Sequence, residues 1–134
     1  MRYVFALITF LFVTFTYAQN QPFTGTNNKK ASKLFGEALQ AFTMYDGKKA
    51  NELLIKTIEL DPNFIDAYML LADVKEGNEQ YNEAELLYEK AIGINAEFQI
   101  PYFKLATAQL NNGQYEKALS NLSLYKEKKG TQID

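Results

Sequence analysis

The chain has no cysteine, no histidine and no tryptophan, and Arg2 is its single arginine. Without cysteine there is no disulfide, no thiol nucleophile and no site for the lipid anchor of bacterial lipoproteins. Without histidine the commonest general base and the commonest metal ligand are both missing. No G-x-G-x-x-G, P-loop or calcium-loop spacing occurs. An enzyme is therefore not expected, and neither is a cofactor or a bound metal. Charge of one sign is lacking too. Fourteen basic against 16 acidic residues leave a net charge of −2, with no basic excess to attract nucleic acid. The one remaining candidate for chemistry is a run of carboxylates, Asp66, Asp73, Glu76, Glu79, Glu83, Glu85 and Glu89. Their spread over helix-forming sequence reads as a solvated outer face.

The only long apolar run is at the start. Arg2 is followed by an almost continuous apolar and aromatic stretch from Tyr3 to Tyr17, closed by Thr16-Tyr17-Ala18. The run is shorter than the roughly 20 residues that a spanning helix needs, and it holds three threonines. It reads as a secretory signal peptide over residues 1–18, cleaved after Ala18. No membrane-spanning segment is expected after cleavage. Residues 19–28 are polar, with Pro22 and Gly25, and read as a flexible lead-in in which Asn27 or Asn28 could cap the first helix.

What the rest of the chain has is a period. Ala38, Ala72 and Ala106 stand 34 residues apart, and so do Ala50, Ala84 and Ala118. Leu34/Tyr68/Tyr102 and Leu54/Tyr88/Leu122 fall in step with them. Apolar residues follow helical spacing in both Ala67–Val74 and Ala84–Ile94, and neither stretch alternates as a strand would. Asp46-Gly47, Gly77-Asn78 and Asn111-Asn112-Gly113 interrupt the pattern where turns are due. A period of this length predicts stacked helical hairpins. Small residues recur because two antiparallel helices approach closely only where both side chains are short. The Ala72–Ala84 pair is placed at such a contact. Ala84→Leu should therefore destabilise the fold, and Ala31→Leu, at the edge of the first helix, should do far less.

At these positions the chain resembles the tetratricopeptide repeat family. Asp61-Pro62 resembles that family's inter-repeat turn and sets repeats at 31–64, 65–98 and 99–132. The second repeat supplies Tyr68, Leu71 and Ala72, then Ala84, Tyr88 and Ala91; the third supplies Tyr102, Leu105 and Ala106. Departures are Glu37 for leucine, Thr57 and Tyr125 for a small residue, and Ala96 for proline. The resemblance implies an all-α solenoid of three hairpins, about six helices, over residues 29–129, with a tail at 130–134. It implies a protein or peptide partner held in a groove lined by the first helix of each repeat. The matching positions are Phe35, Leu39 and Phe42; then Asp66, Met69, Asp73 and Glu76; then Ile100, Phe103, Thr107 and Leu110. Family members that clamp a C-terminal carboxylate use lysine and asparagine there. Aromatic and acidic residues stand there instead, which suits an amphipathic, locally basic segment.

Ile58 and Leu60, and 34 residues later Ile92 and Ile94, lie where each second helix should meet the next repeat. Lys126 and Lys128 replace Ile92 and Ile94 in the third repeat, as a solvated last face requires. A signal peptide, a polar stretch and three repeats also resemble the start of Gram-negative envelope proteins that continue into a β-propeller and a domain similar to outer membrane protein A. The stretch that carries this likeness is Asn63 through Asp73. The reading is an interaction module exported to the periplasm or cell envelope of a Gram-negative bacterium. The alternative is a structural assembly component of an outer-membrane or secretion-associated complex.

Overall fold

The computed structural model describes residues 24–130. The signal peptide, the first part of the lead-in and the last four residues of the tail lie outside the described residues. Six helices follow in order: α1 (Lys29–Thr43), α2 (Gly47–Leu60), α3 (Ile65–Gly77), α4 (Tyr81–Ile94), α5 (Ile100–Asn111) and α6 (Tyr115–Gly130). There is no strand among the described residues. The helices form three antiparallel hairpins, α1–α2, α3–α4 and α5–α6, and each hairpin packs on the next through α2–α3 and α4–α5.

The turns repeat with the same period as the sequence. Each hairpin turn passes through one residue in the left-handed region: Tyr45 (φ 60°), Glu79 (φ 60°) and Gly113 (φ 74°). The next residue then closes the helix with a backbone bond of 2.8–2.9 Å: Asp46 N–H to Ala41 C=O, Gln80 to Lys75 and Gln114 to Gln109. This is the closure that a glycine ordinarily makes at a helix C-terminus. Only the third turn has its glycine in the left-handed seat. Tyr45 and Glu79 each carry about 1 kcal/mol of strain there. Between hairpins, the Asp61 and Asn95 side chains each accept the N–H two residues on, at 3.0 Å. That shared turn explains how Ala96 can stand where Pro62 does. Asn28 caps α1 by accepting from Lys30 and Ala31, and Asp46 caps α2 by accepting from Lys49.

The six periodic alanines are the spine of the packing. Ala38, Ala50, Ala72, Ala84, Ala106 and Ala118 are all fully buried. Ala84 lies in one cluster with Ala72, Tyr88, Leu105 and Ala108. Ala84→Leu has no room for three more carbons and should cost about 1–3 kcal/mol in urea unfolding. Ala31 is not the tolerant site that its place in sequence suggested. It is fully buried in the first core cluster, beside Phe64 and Ala38. A better companion variant is Gly36→Ala, mid-helix and exposed, where an added Cβ meets nothing within 4 Å. It should raise stability by about 0.5–1 kcal/mol. Equal midpoints for the Ala84 and Gly36 variants would mean the close contact is misplaced.

The departures from the repeat pattern have physical reasons. Glu37 is exposed because no described hairpin packs on that face of α1. Thr57 is fully buried, but its hydroxyl donates to Leu53 C=O at 2.8 Å. Tyr125 is only half-buried and sets its ring 5.4 Å from that of Phe103. The described end of the lead-in is tied down. Thr26 donates to the Asp61 carboxylate, Asn28 Nδ2 donates to Leu60 C=O at 3.0 Å, and Thr24 both donates to Asp66 Oδ2 and accepts the Asp66 N–H. Residues 24–28 thus run as a strap across the α2–α3 turn.

Candidate functional site

The first helices of the hairpins, α1, α3 and α5, carry the candidate groove. α1 touches α3, and Lys104 of α5 reaches Asp73 of α3 at 2.9 Å, so the three stand side by side. Leu39, Ile100, Phe103 and Leu110 are exposed apolar residues on them, between 37% and 46% accessible. Phe35, Phe42 and Met69 are half-buried and share their surface with the core. Phe35 sets its ring 4.8 Å from that of Phe64, tilted by 50°. The row Phe35–Met69–Phe103 is thus apolar but uneven, opening toward α5. Thr107 spends its hydroxyl on Phe103 C=O at 3.0 Å.

Phe42 and Asp73 meet at a hollow of about 570 Å³ between the turns of the first two hairpins, also lined by Thr43, Tyr45, Gly47, Val74, Gly77 and Asn78. It is large enough for a bulky side chain. Its walls are mostly apolar, with Asp73 at one side.

The acidic positions are not the free charges that the sequence implied. Asp73 Oδ1 accepts from Tyr88 Oη at 2.6 Å and from Lys104 Nζ at 2.9 Å. Glu76 lies 3.1 Å from the same hydroxyl and accepts from Asn111 Nδ2 at 3.0 Å. Asp66 is held by Thr24. Burial, and then the bond and charge of Asp73, push the Tyr88 phenol well above its usual range, so it stays a donor. Glu85 departs from the solvated-face reading altogether. It is 8% exposed and accepts from Asn112 Nδ2 at 2.9 Å and Gln114 Nε2 at 2.6 Å, with Gln109 Nε2 at 3.5 Å. It faces α5 between two hairpins, where little of it meets water. Lys104 and Asn111 were missed as members of the groove, and Tyr88 as the buried donor beneath it. A spacing signal existed for the lysine. Asp73 and Lys104 lie 31 residues apart, one helical turn short of the period. On the adjacent equivalent helices α3 and α5 that offset places the two side chains within reach.

Among the described residues, no group of three or more histidine, cysteine, aspartate or glutamate side chains could hold a metal ion, and no helix is long and apolar enough to cross a membrane. Solved structures are similar to the whole array. The TPR2B domain of yeast Sti1, in a complex with pHsp70, is 27% identical, with a TM-score of 0.73, covering 75% of this chain and 81% of that domain. The fold is a tetratricopeptide-repeat solenoid. The first such domain of Spaghetti (RPAP3), bound to the HSP90 peptide SRMEEVD, is 17% identical with a TM-score of 0.72, covering 80% of this chain and 84% of its own. MamA is 22% identical with a TM-score of 0.74, and this chain spans 58% of its length. No family model matches the sequence, and no curated protein matches it. The six helices fit three tetratricopeptide repeats, and the groove positions lie on the first helix of each.

Proposed function

We propose that this solenoid is a non-catalytic interaction module that receives a protein segment along α1, α3 and α5. The observation that carries the reading is the exposed apolar set Leu39 on α1 and Ile100, Phe103 and Leu110 on α5, with the Phe42–Asp73 hollow opening between α1 and α3. Contiguous exposed apolar surface on a folded chain marks contact. Two neighbours with this fold hold a peptide or a partner in their structures. The acidic SRMEEVD peptide is a poor fit here. Asp66, Asp73 and Glu76 border the groove against one lysine, Lys104, so the preferred segment is amphipathic and locally basic. Photo-crosslinking tests the reading. A crosslinking residue at Leu110 should capture a partner that the same residue at Leu86, on α4, does not. Equal capture at both positions would remove the groove from the account.

Export to a Gram-negative envelope belongs to the same proposal and rests on the sequence of residues 1–18. Mass spectrometry of the periplasmic protein should find Gln19 as the first residue. An intact Met1 recovered in the membrane pellet would mean an anchor instead.

A further inference from the structure

The last described helix, α6, presents a surface that the repeat itself identifies. In α4, the residues turned toward α5 include Glu85, which bonds Asn112 and Gln114, and Tyr88, which packs with Leu105 and Ala108. Ile92 packs against the same cluster. The equivalents on α6, 34 residues on, are Leu119, Leu122 and Lys126, with Tyr115 one turn earlier. No described helix follows α6 to pack on this flank; Lys126 is exposed, and Leu122 is half-buried within its own hairpin. Tyr115 is 70% exposed and Leu119 is 67% exposed. The polar last face expected from Lys126 and Lys128 therefore holds only for the second half of α6. Its first half is apolar, and Leu119 stands where the internal repeat has a carboxylate.

We infer that this flank of α6 pairs with the same flank of a second copy, antiparallel and about a two-fold axis. Tyr115, Leu119, Leu122 and Lys126 follow each other at spacings of four, three and four, one straight stripe along the helix. An antiparallel pairing sets Leu119 against Leu122 of the other copy, and Tyr115 against its Lys126. The ammonium then lies on a tyrosine ring, which attracts it. The stripe is thus complementary to itself. It is not complementary to the other end of the array. Leu105 and Ala108 are what α5 offers to α4, and their equivalents on α1 are Glu37 and Gln40, both exposed and polar. Head-to-tail stacking would bury those two groups against leucine, so the closed dimer is preferred over an open filament. Four residues over about 16 Å of helix make a small seam, so the dimer forms in the micromolar-to-millimolar range.

The test is sedimentation of the full-length chain, as the expressing cell delivers it, from about 1 μM to about 1 mM. The mass should rise to that of a dimer and stop there. Leu119→Glu should weaken association by roughly tenfold or more, as should the milder Leu119→Gln. Leu86→Glu, an equally exposed leucine on α4, should leave it unchanged. Circular dichroism run on each variant confirms that the helices persist. A monomer at every concentration overturns the inference. Equal loss in the Leu119 and Leu86 variants also overturns it, as does growth beyond the dimer.

Discussion

Tyr88→Ala should lower the unfolding free energy by about 3–5 kcal/mol, the cost of truncating a large, fully buried ring. Tyr88 fills the centre of the second cluster, against Ala72, Ala84, Leu105 and Ala108, and so joins two hairpins. Its loss leaves a cavity where the surrounding alanines are too short to collapse. It also removes a donor from the carboxylates at the groove. One hydroxyl proton serves one acceptor at a time. The 2.6 Å contact with Asp73 is the stronger, and Glu76, at 3.1 Å, keeps Asn111. Tyr88→Phe separates the two effects. It keeps the ring and should cost about 1–2 kcal/mol, because Lys104 still partners Asp73. The two variants should also differ in alkali. The folded phenol is held above its ordinary value of 10.0, so above that pH the unfolded chain loses a proton that the folded chain keeps. The contribution is complete below pH 10 and shrinks by about 1.4 kcal/mol per pH unit above it. Urea midpoints at about pH 8 and about pH 11 should show a steeper decline for the native chain than for Tyr88→Phe. Parallel declines would assign the alkaline loss to another group.

The spine of this fold is legible in the sequence because it depends on size and spacing. Alanine at six positions in step means close helix contacts, and all six are buried. The turns are half legible. Asp61 and Asn95 announce the inter-hairpin turn by their side chains, but Tyr45 and Glu79 hide the left-handed seats that glycine would have marked. The groove is less legible still. A periodic pattern says which residues share a face, and not what their side chains meet. Asp73 and Glu76 share the expected face, yet each finds donors from another helix. Glu85 reads as surface because glutamate usually is; its burial depends on three amide donors from α5 and the turn after it. Ala31 looks terminal in sequence and is core in space, since Phe64, the last residue before α3, belongs to the same cluster.

Phe103→Ala should weaken partner binding by about tenfold or more while costing only about 1 kcal/mol of stability. Phe103 is 46% exposed, and the ring contact recorded for it, with Tyr125, lies at the last hairpin rather than in either buried cluster. Truncation therefore opens no closed cavity. Phe42→Ala makes the opposite comparison. Phe42 packs against the first cluster and also lines the hollow beside Asp73. It should lose stability and binding together, with a fall in Tm several degrees larger than that of the Phe103 variant. Phe42 and Phe103 lie in the first and third repeats, so the pair also measures how much of the groove the partner spans. Binding of the crosslinked partner, titrated against both variants beside thermal melts, decides the matter. Loss of binding in both, with a large drop in Tm for Phe42→Ala alone, is the expected result. Unchanged binding to Phe103→Ala would confine the partner to the first two repeats. A large drop in Tm for Phe103→Ala would make that ring part of the core and withdraw it from the binding surface.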